Sequence, residues 1–211
     1  MNQRDYILYP LLAAVMIPLL GGCFGTTPSS RFYTLTPQEG RAISAVEGVE
    51  VMAKVGPVTI PSYLDRSQIV TRSGRNELEL AEFDRWGGAL DDEINRLLVN
   101  DLTGRLAPIG VAVAPWRSVS LVDLPITYSV SITIERFDGA PGGTVVLNAS
   151  WRVVLKKEKE ERPLLMRKSA ITEEVGGSGY DPLVAAMGKA VSRLGKEISD
   201  ALAILITQKK G

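Results

Sequence analysis

The feature that most restricts the fold is a β-type run at 126–137, in which apolar and polar side chains alternate strictly from 126 to 135. The apolar positions are Ile126, Tyr128, Val130, Ile132 and Ile134, and a threonine, serine or glutamate follows each of them. A period of two places all of the apolar side chains on one face of a β-strand. The run therefore predicts a strand with one face buried and the other in water.

The residues after this run predict two further long strands. A turn rich in glycine and proline at 138–143 precedes a second alternating run at 144–156. A charged reversal at 156–162 then leads into a third β-type run at 164–174. Consecutive strands joined by short turns pair antiparallel, so we expect a meander.

Shorter β-type runs occupy the N-terminal half of the chain. They lie at 31–36, 49–55, 58–60, 68–72, 77–80 and 111–113. Gly56 and Pro57 predict a break or bulge between the second and third runs, and 73–76 predicts a hairpin turn. The segment 82–88 is predicted to be an irregular loop before the first helix.

Two amphipathic helices complete the pattern. Apolar side chains, mostly leucine and isoleucine, recur every three or four residues at 89–106 and again at 181–208, the spacing of one helix face. Asp181 is the expected N-cap of the second helix, with Pro182 at its first position. The predicted fold class is α+β: a single domain with a mostly antiparallel sheet and two long helices packed on one face.

The composition excludes several classes of function. The chain has no histidine, one cysteine, and 24 basic against 24 acidic residues. Without histidine there is no Ser-His-Asp or Cys-His catalysis and no histidine-ligated zinc. Balanced charge gives no basic face for a nucleic acid. We therefore expect no catalytic residues, no metal site and no nucleic-acid partner.

Two local clusters have simpler explanations than a binding site. The glycine-rich segment 176–179 lies between a strand and a helix, where backbone N–H groups can hold an anion. It lacks both the GxGxxG spacing and a following Gly-Lys-Ser/Thr, so a flexible connection is the better interpretation. The carboxylates at 91–93 and 173–174 are adjacent in sequence and do not share a face, which favours solvated charge.

The N-terminus has the pattern of an export signal. An apolar run at 6–20 contains two prolines and is shorter than the ~20 residues of a membrane-spanning helix. It therefore indicates the hydrophobic region of a signal peptide. The segment 20–23, Leu-Gly-Gly-Cys, resembles the lipobox of bacterial lipoproteins, in which the cysteine thiol is acylated. Cys23, the sole cysteine, stands at that position.

These features divide the chain into three segments. A signal peptide at 1–22 would be cleaved between Gly22 and Cys23, leaving an acylated Cys23 with a flexible tether at 23–30 and a domain at 31–211. The expected covalent groups are an N-acyl chain and an S-diacylglycerol on Cys23, and no cofactor is expected. The alternative is an ordinary signal peptide, or a short anchor with an incidental cysteine.

The residue after Cys23 bears on location. In the usual sorting pattern an aspartate there retains a lipoprotein in the inner membrane, whereas this chain has Phe24. We therefore expect an outer-membrane lipoprotein that faces the periplasm. A tether at 23–30 spans at most about 30 Å when extended, so the domain would work close to the membrane.

Two segments combine aromatic and arginine side chains in predicted turns or loops. The first contains Pro61, Tyr63, Leu64, Asp65 and Arg66, and the second contains Phe83, Asp84, Arg85 and Trp86. Tryptophan, tyrosine and arginine are enriched among the residues that anchor interfaces. We expect these segments to mediate partner docking or self-association into a homo-oligomer. The alternative is that Phe83 and Trp86 cap the core.

Three stretches of the chain carry a family resemblance. The residues at 32–35, 55–72 and 76–86 resemble those of the ABC-type transport auxiliary lipoproteins, the PqiC (YmbA) family. The resemblance implies a non-enzymatic periplasmic lipoprotein, typically of the outer membrane. It also implies partnership with an MCE-domain protein and inner-membrane transporter components that move lipids or other hydrophobic molecules. The residues of interest in the family would be those of the two segments at 61–66 and 83–86.

Three functions remain open at this point. The first is a docking component of such a transport system. The second is a carrier that itself holds a lipid or hydrophobic ligand between the sheet and the helices. The third, a hydrolase, is disfavoured because the chain has no histidine.

Overall fold

The computed structural model describes residues 28–37, 49, 51–118, 126–157 and 160–208. The strands in these ranges are β1 Arg31–Tyr33, β2 Val51–Thr59, β3 Gln68–Arg72, β4 Leu78–Trp86, β5 Val111–Pro115, β6 Ile126–Gly139, β7 Thr144–Lys157 and β8 Glu160–Glu174. The helices are α1 Leu90–Leu106, followed by a 3₁₀ turn at Ala107–Ile109, and α2 Tyr180–Thr207. The predicted α+β class is confirmed.

A five-stranded sheet forms the body of the domain, in the order β5-β2-β6-β7-β8. Strands β6, β7 and β8 form the predicted antiparallel meander. Strand β2 pairs in parallel with both β5 and β6, so the large sheet is mixed. Parallel neighbours need a crossover connection, and α1 provides it between β2 and β5.

Both helices pack on one face of the large sheet, as predicted. Helix α1 contacts β2 and β5, α2 contacts β7 and β8, and the two helices contact each other. Trp151 from β7, Leu98 from α1 and Leu194 from α2 are all buried in this layer. Each large apolar side chain buried here contributes about 1.5–3 kcal/mol to folding.

A second, three-stranded sheet contains the predicted hairpin of β3 and β4, whereas its third strand and the full length of β4 were not predicted. Its order is β1-β4-β3, and it continues β4 through residues that the sequence pattern had assigned to a loop. The prediction for 82–88 was therefore wrong as far as Trp86. The physical reason is that β1 pairs in parallel with the end of β4, placing Tyr33 opposite Trp86, and a partner so far away in sequence leaves no local pattern.

The predicted break at Gly56 and Pro57 is a bulge within one strand. The pairing of β2 with β6 shifts between Val55 and Val58. Gly56 has a φ of +108°, and a Cβ there would overlap the side chains of Trp116 and Asn95. Glycine is the residue that tolerates both the positive φ and the close approach.

Helix α2 begins two residues before Pro182, its predicted first helical residue. Its N-cap is Gly179 and its first residue is Tyr180, so Asp181 is not the cap and Pro182 is not the first helical residue. Asp181 lies in the first turn, where a carboxylate favours the positive end of the helix dipole.

Candidate functional site

The first predicted interface segment, 61–66, forms a tight turn between β2 and β3. The Leu64 N–H donates to the Pro61 carbonyl at 2.9 Å, and the Arg66 N–H donates to the Leu64 carbonyl at 2.8 Å. Leu64 is buried with 2% of its surface exposed, whereas Asp65 and Arg66 are exposed. The apolar anchor fixes the turn and directs the two charged side chains into solvent.

The second segment, 83–86, lies on β4 directly beside the first. The Trp86 N–H donates to the Ser67 carbonyl at 2.7 Å, and Arg85 pairs with Gln68 across the small sheet. The structure therefore brings together two segments that lie about twenty residues apart in sequence. On its other side, Arg85 is in register with Phe32 of β1, whose side chain is 66% exposed.

The residues predicted for an interface fall into three groups by burial. Asp65 and Arg66 are exposed; Pro61, Tyr63, Phe83 and Arg85 are half-buried; Leu64, Asp84 and Trp86 are buried. Trp86 is only 4% exposed, which agrees with the alternative that it packs in the core. The surface available to a partner is therefore formed by the first two groups, and its use as an interface stays a prediction.

Asp84 joins β1 to β4. Its Oδ1 accepts a hydrogen bond from the Tyr33 hydroxyl at 2.8 Å and lies 2.9 Å from an Arg31 guanidinium nitrogen. Tyr33 in turn contacts the ring of Tyr180 at the start of α2, with 6.5 Å between the ring centroids. Asp84 thus fixes Arg31 and Tyr33 of β1 to β4.

A second buried carboxylate, Asp138 at the end of β6, joins the two sheets. Arg72 of β3 donates from Nε to Oδ1 and from a terminal nitrogen to Oδ2, both at 2.9 Å. Arg136 donates from Nε to Oδ1 at 2.9 Å, and the Tyr63 hydroxyl donates to Oδ2 at 3.1 Å. Asp138 is 0% exposed, so its charge is balanced entirely by these neighbours.

The environment of Asp138 fixes its charge state. Burial by itself raises the pKa of this carboxyl, but the hydrogen bonds and charges of Arg72 and Arg136 outweigh it and leave the pKa below its ordinary value. Burial raises the pKa of the adjacent Tyr63 hydroxyl, and the nearby Asp138 charge raises it further. At neutral pH the cluster therefore consists of one carboxylate, two guanidinium groups and a neutral phenol.

Sequence reasoning missed the Asp138 cluster. Asp138 precedes Gly-Ala-Pro-Gly-Gly and was assigned to the turn, whereas the strand continues to Gly139. The one local signal was Arg136, two residues before it on the same strand. The partners Arg72 and Tyr63 lie more than sixty residues away, so the sequence pattern could not connect them.

The other motifs have structural roles. Within the carboxylate cluster at 91–93, Glu93 accepts a hydrogen bond from the Leu35 N–H at 3.0 Å and lies 2.7 Å from the Arg96 guanidinium, so it is not simply solvated. In the glycine-rich segment the Gly177 carbonyl accepts a hydrogen bond from the Gly142 N–H at 2.7 Å. That bond joins the segment to the turn between β6 and β7, as expected of a connection.

Two features are absent from the described residues. These residues include no group of three or more acidic or cysteine side chains placed to hold a metal ion. None of their helices is long and apolar enough to cross a membrane. Gly22, Cys23 and the rest of 1–27 lie outside the described residues, so the lipidation site stays a prediction.

Comparison with known proteins gives relatives that align over most of the chain. The chain is 23% identical over 184 residues to the intermembrane transport lipoprotein PqiC of Escherichia coli strain K12, covering 87% of this chain and 91% of that protein. The protein of the same name from Shigella flexneri matches to the same extent.

Solved structures share the fold. A crystal structure of an uncharacterized protein matches with a TM-score of 0.63 at 20% identity, covering 83% of this chain and 99% of that one. Protein XCC0632 from Xanthomonas campestris matches with a TM-score of 0.62 at 15% identity, covering 86% of this chain and 99% of that one. The family of ABC-type transport auxiliary lipoprotein components matches residues 33–199. That match includes strands β2 to β8, helix α1 and α2 as far as residue 199, and the chain belongs to this family.

Proposed function

We propose that the protein is a non-catalytic docking component of an intermembrane transport system, held at the outer membrane by acyl chains on Cys23 and facing the periplasm. Its partners would be an MCE-domain protein and inner-membrane transporter components, and the cargo would be lipids or other hydrophobic molecules. Family membership and the name of the Escherichia coli relative support a transport role. The lipobox and Phe24 support the location.

The observation that carries the docking role is the construction of the turn at 61–66. Leu64 is buried and Trp86 hydrogen-bonds the adjoining backbone, so the turn is held on both sides. Asp65 and Arg66 project from it into solvent. A rigid turn that presents charged side chains loses little conformational entropy on binding, which favours a specific contact.

The packing between the sheet and the helices favours docking over the carrier alternative. Trp151, Leu194 and Ile198 are at most 2% exposed and belong to one continuous core. These side chains occupy the layer in which the carrier hypothesis places a ligand. A lipid in that layer would have to displace a close-packed core.

The docking role is tested by crosslinking and affinity purification from native membranes. We expect Arg66→Ala to reduce recovery of an MCE-domain protein, because arginine anchors often cost about 2 kcal/mol or more when truncated. Arg162→Ala is the matched control, since Arg162 is also exposed but lies on β8 of the other sheet. Equal recovery with both variants and with the unchanged protein would contradict the role of the turn.

Anchoring is tested separately. We expect Cys23→Ser to abolish acylation and to release the protein from membranes, because several acyl chains are needed for stable anchoring. Mass spectrometry of the N-terminus and density fractionation of the membranes measure the two effects. An unmodified Cys23, or a chain found only in the inner membrane, would contradict the proposed location.

A further inference from the structure

The face of the large sheet that points away from the helices contains a groove. It lies between the end of β2 and strands β6 to β8, and its volume is about 380 Å³, within the range of small-ligand sites. Its lining includes the hydroxyl groups of Thr59, Ser131, Thr133 and Ser150, the guanidinium of Arg152 and the thioether of Met166.

Strand register explains why these side chains meet. Thr59 pairs with Thr133, which pairs with Ser150 on the next strand. In the neighbouring row Ser131 pairs with Arg152, which pairs with Met166. Side chains paired across a sheet lie on the same face. The backbone pairing of four strands therefore forms the groove and fixes the spacing between the Cα atoms of its lining residues.

Arg152 is oriented by its neighbour and keeps donors available. Its Nε–H donates to Ser131 Oγ at 2.8 Å, and its terminal amino groups have no partner among the described residues. The lining of the groove in the described part of the chain includes no carboxylate. The nearby acid on the same face, Glu135, is 3.1 Å from Lys168 and paired with it.

We propose that this groove binds a phosphate oxyanion. The amino groups of Arg152 present the fork of donors that pairs with phosphate oxygens, and the hydroxyls of Ser131, Ser150 and Thr133 supply further donors. The groove carries one unpaired positive charge, which complements an anion. Hydroxyl groups also accept hydrogen bonds, so they can pair with the P–OH of a monoprotonated phosphate or phosphate monoester.

Met166 extends the site on one side. It lies directly opposite Arg152 across the β7–β8 pairing, and its side chain is 76% exposed. An exposed thioether beside a bound phosphate suits an alkyl group attached to that phosphate. The oxyanion has two sources, free phosphate or a phospholipid headgroup. The lipid source rests on the proposed function, whereas binding of the oxyanion does not.

The binding is measured by titrating inorganic phosphate into the full-length protein in a nonionic detergent, with chloride used to hold the ionic strength constant. We expect saturable chemical-shift changes at the backbone amides of 131–133 and 150–152. In Arg152→Gln the affinity should fall about tenfold or more, because a charge-assisted pair to phosphate is lost.

The matched control is Arg167→Gln. Arg167 is also exposed but pairs with Trp151, so it lies on the opposite face of the sheet. The phosphate affinity of the Arg167→Gln variant should stay within about twofold of that of the unchanged protein. The loss of a direct ion pair would change it by more. Shift changes that do not saturate, or an equal loss of affinity in both variants, would overturn the proposal.

A second titration distinguishes free phosphate from a phospholipid headgroup as the source of the oxyanion. It uses dihexanoyl phosphatidic acid below its critical micelle concentration. Tighter binding than inorganic phosphate, with added shift changes at Met166, supports a lipid headgroup as the ligand. Equal or weaker binding supports free phosphate. If the groove fails to bind either probe while partner recovery depends on Arg66, the oxyanion site is refuted and the docking function stands.

Discussion

The same strands form both faces of the large sheet, and the two faces differ in the polarity and the burial of their side chains. On β7, Val145, Leu147, Ala149, Trp151 and Val153 are buried against the helices, whereas Ser150 is half-buried and Arg152 is exposed on the other face. The first face holds the domain together through apolar burial. Over the groove, the side chains of the second face do not pack against the helices, so they are available to bind a ligand.

The comparison has one exception, which lies at the end of β6. Asp138 pairs with Val146 and so belongs to the polar face, yet it is 0% exposed. The small sheet covers this end of the face through Arg72 and Tyr63. Burial of the polar face therefore requires charge balance, whereas burial of the other face requires only close packing.

The largest effect is expected from truncation on the apolar face. Trp151→Ala should lower the free energy of unfolding by about 3–5 kcal/mol, the usual cost of removing a buried tryptophan. Part of the cost is the 3.0 Å hydrogen bond that its indole N–H donates to Ser169. Chemical denaturation monitored by far-UV circular dichroism measures it. A loss below about 1 kcal/mol would mean that this face does not carry the core.

An intermediate loss of stability is expected from substitutions at Asp138, the buried carboxylate of the polar face, and at its partner Tyr63. Asp138→Asn should lower the free energy of unfolding by about 2 kcal/mol, because the hydrogen bonds to two guanidinium groups lose their charge assistance. Tyr63→Phe should cost less, about 1 kcal/mol, since it removes one neutral donor. Thermal and chemical denaturation of the two variants give the order directly, and the reverse order would contradict the geometry at Asp138.

The lowered pKa of Asp138 predicts that the stability of the protein depends on pH. The folded-state pKa of Asp138 lies below its ordinary value, which for an unfolded chain is about 3.9. Its contribution to stability is therefore complete above that pH and is lost as the pH falls through the folded-state pKa. We expect the stability difference between the unchanged protein and Asp138→Asn to be constant near neutral pH and to narrow in acid. A difference that widens in acid would contradict the assigned shift.

The smallest effect is expected on the exposed part of the polar face. Arg152→Ala should change the free energy of unfolding by no more than about 0.5 kcal/mol, as is usual for surface side chains. Comparison with Trp151→Ala isolates the effect of the face, because the two residues are adjacent on β7 and lie on opposite faces of the sheet. A large loss of stability in Arg152→Ala would show that the polar face has a structural role after all.

Much of the fold was predictable because the spacing of apolar residues within short segments indicates the strands and helices. The meander at β6 to β8 and both helices were identified from alternation and helical spacing, with ends within a few residues of those observed. Local pattern also predicted the β3–β4 hairpin of the small sheet, but it could not reveal the third strand, because β1 pairs with the end of β4 about fifty residues away. The partners of Asp138 were hidden for the same reason.

The candidate interface was predictable in part. The sequence identified the two segments at 61–66 and 83–86, and the structure places them side by side through the Trp86 N–H and the Ser67 carbonyl. Sequence could not decide which of their side chains face solvent. Leu64 and Trp86 turned inward because each has apolar neighbours from other parts of the chain, whereas Asp65 and Arg66 have none to bury them.

By itself, the sequence determined the periodic elements, the family resemblance and the prediction of a lipid anchor at Cys23, since these depend on neighbouring residues and short motifs. Tertiary structure alone decided which polar residues are buried, as Asp138 is, and which line a groove, as Arg152 does. Continued alternation from Ile134 would place Asp138 on the apolar face, and the shift in register between Ile134 and Arg136 places it instead on the polar face, which also carries Arg152. Only the packing of the small sheet over one end of that face separates them, because burial is set by contacts between segments that are distant in sequence.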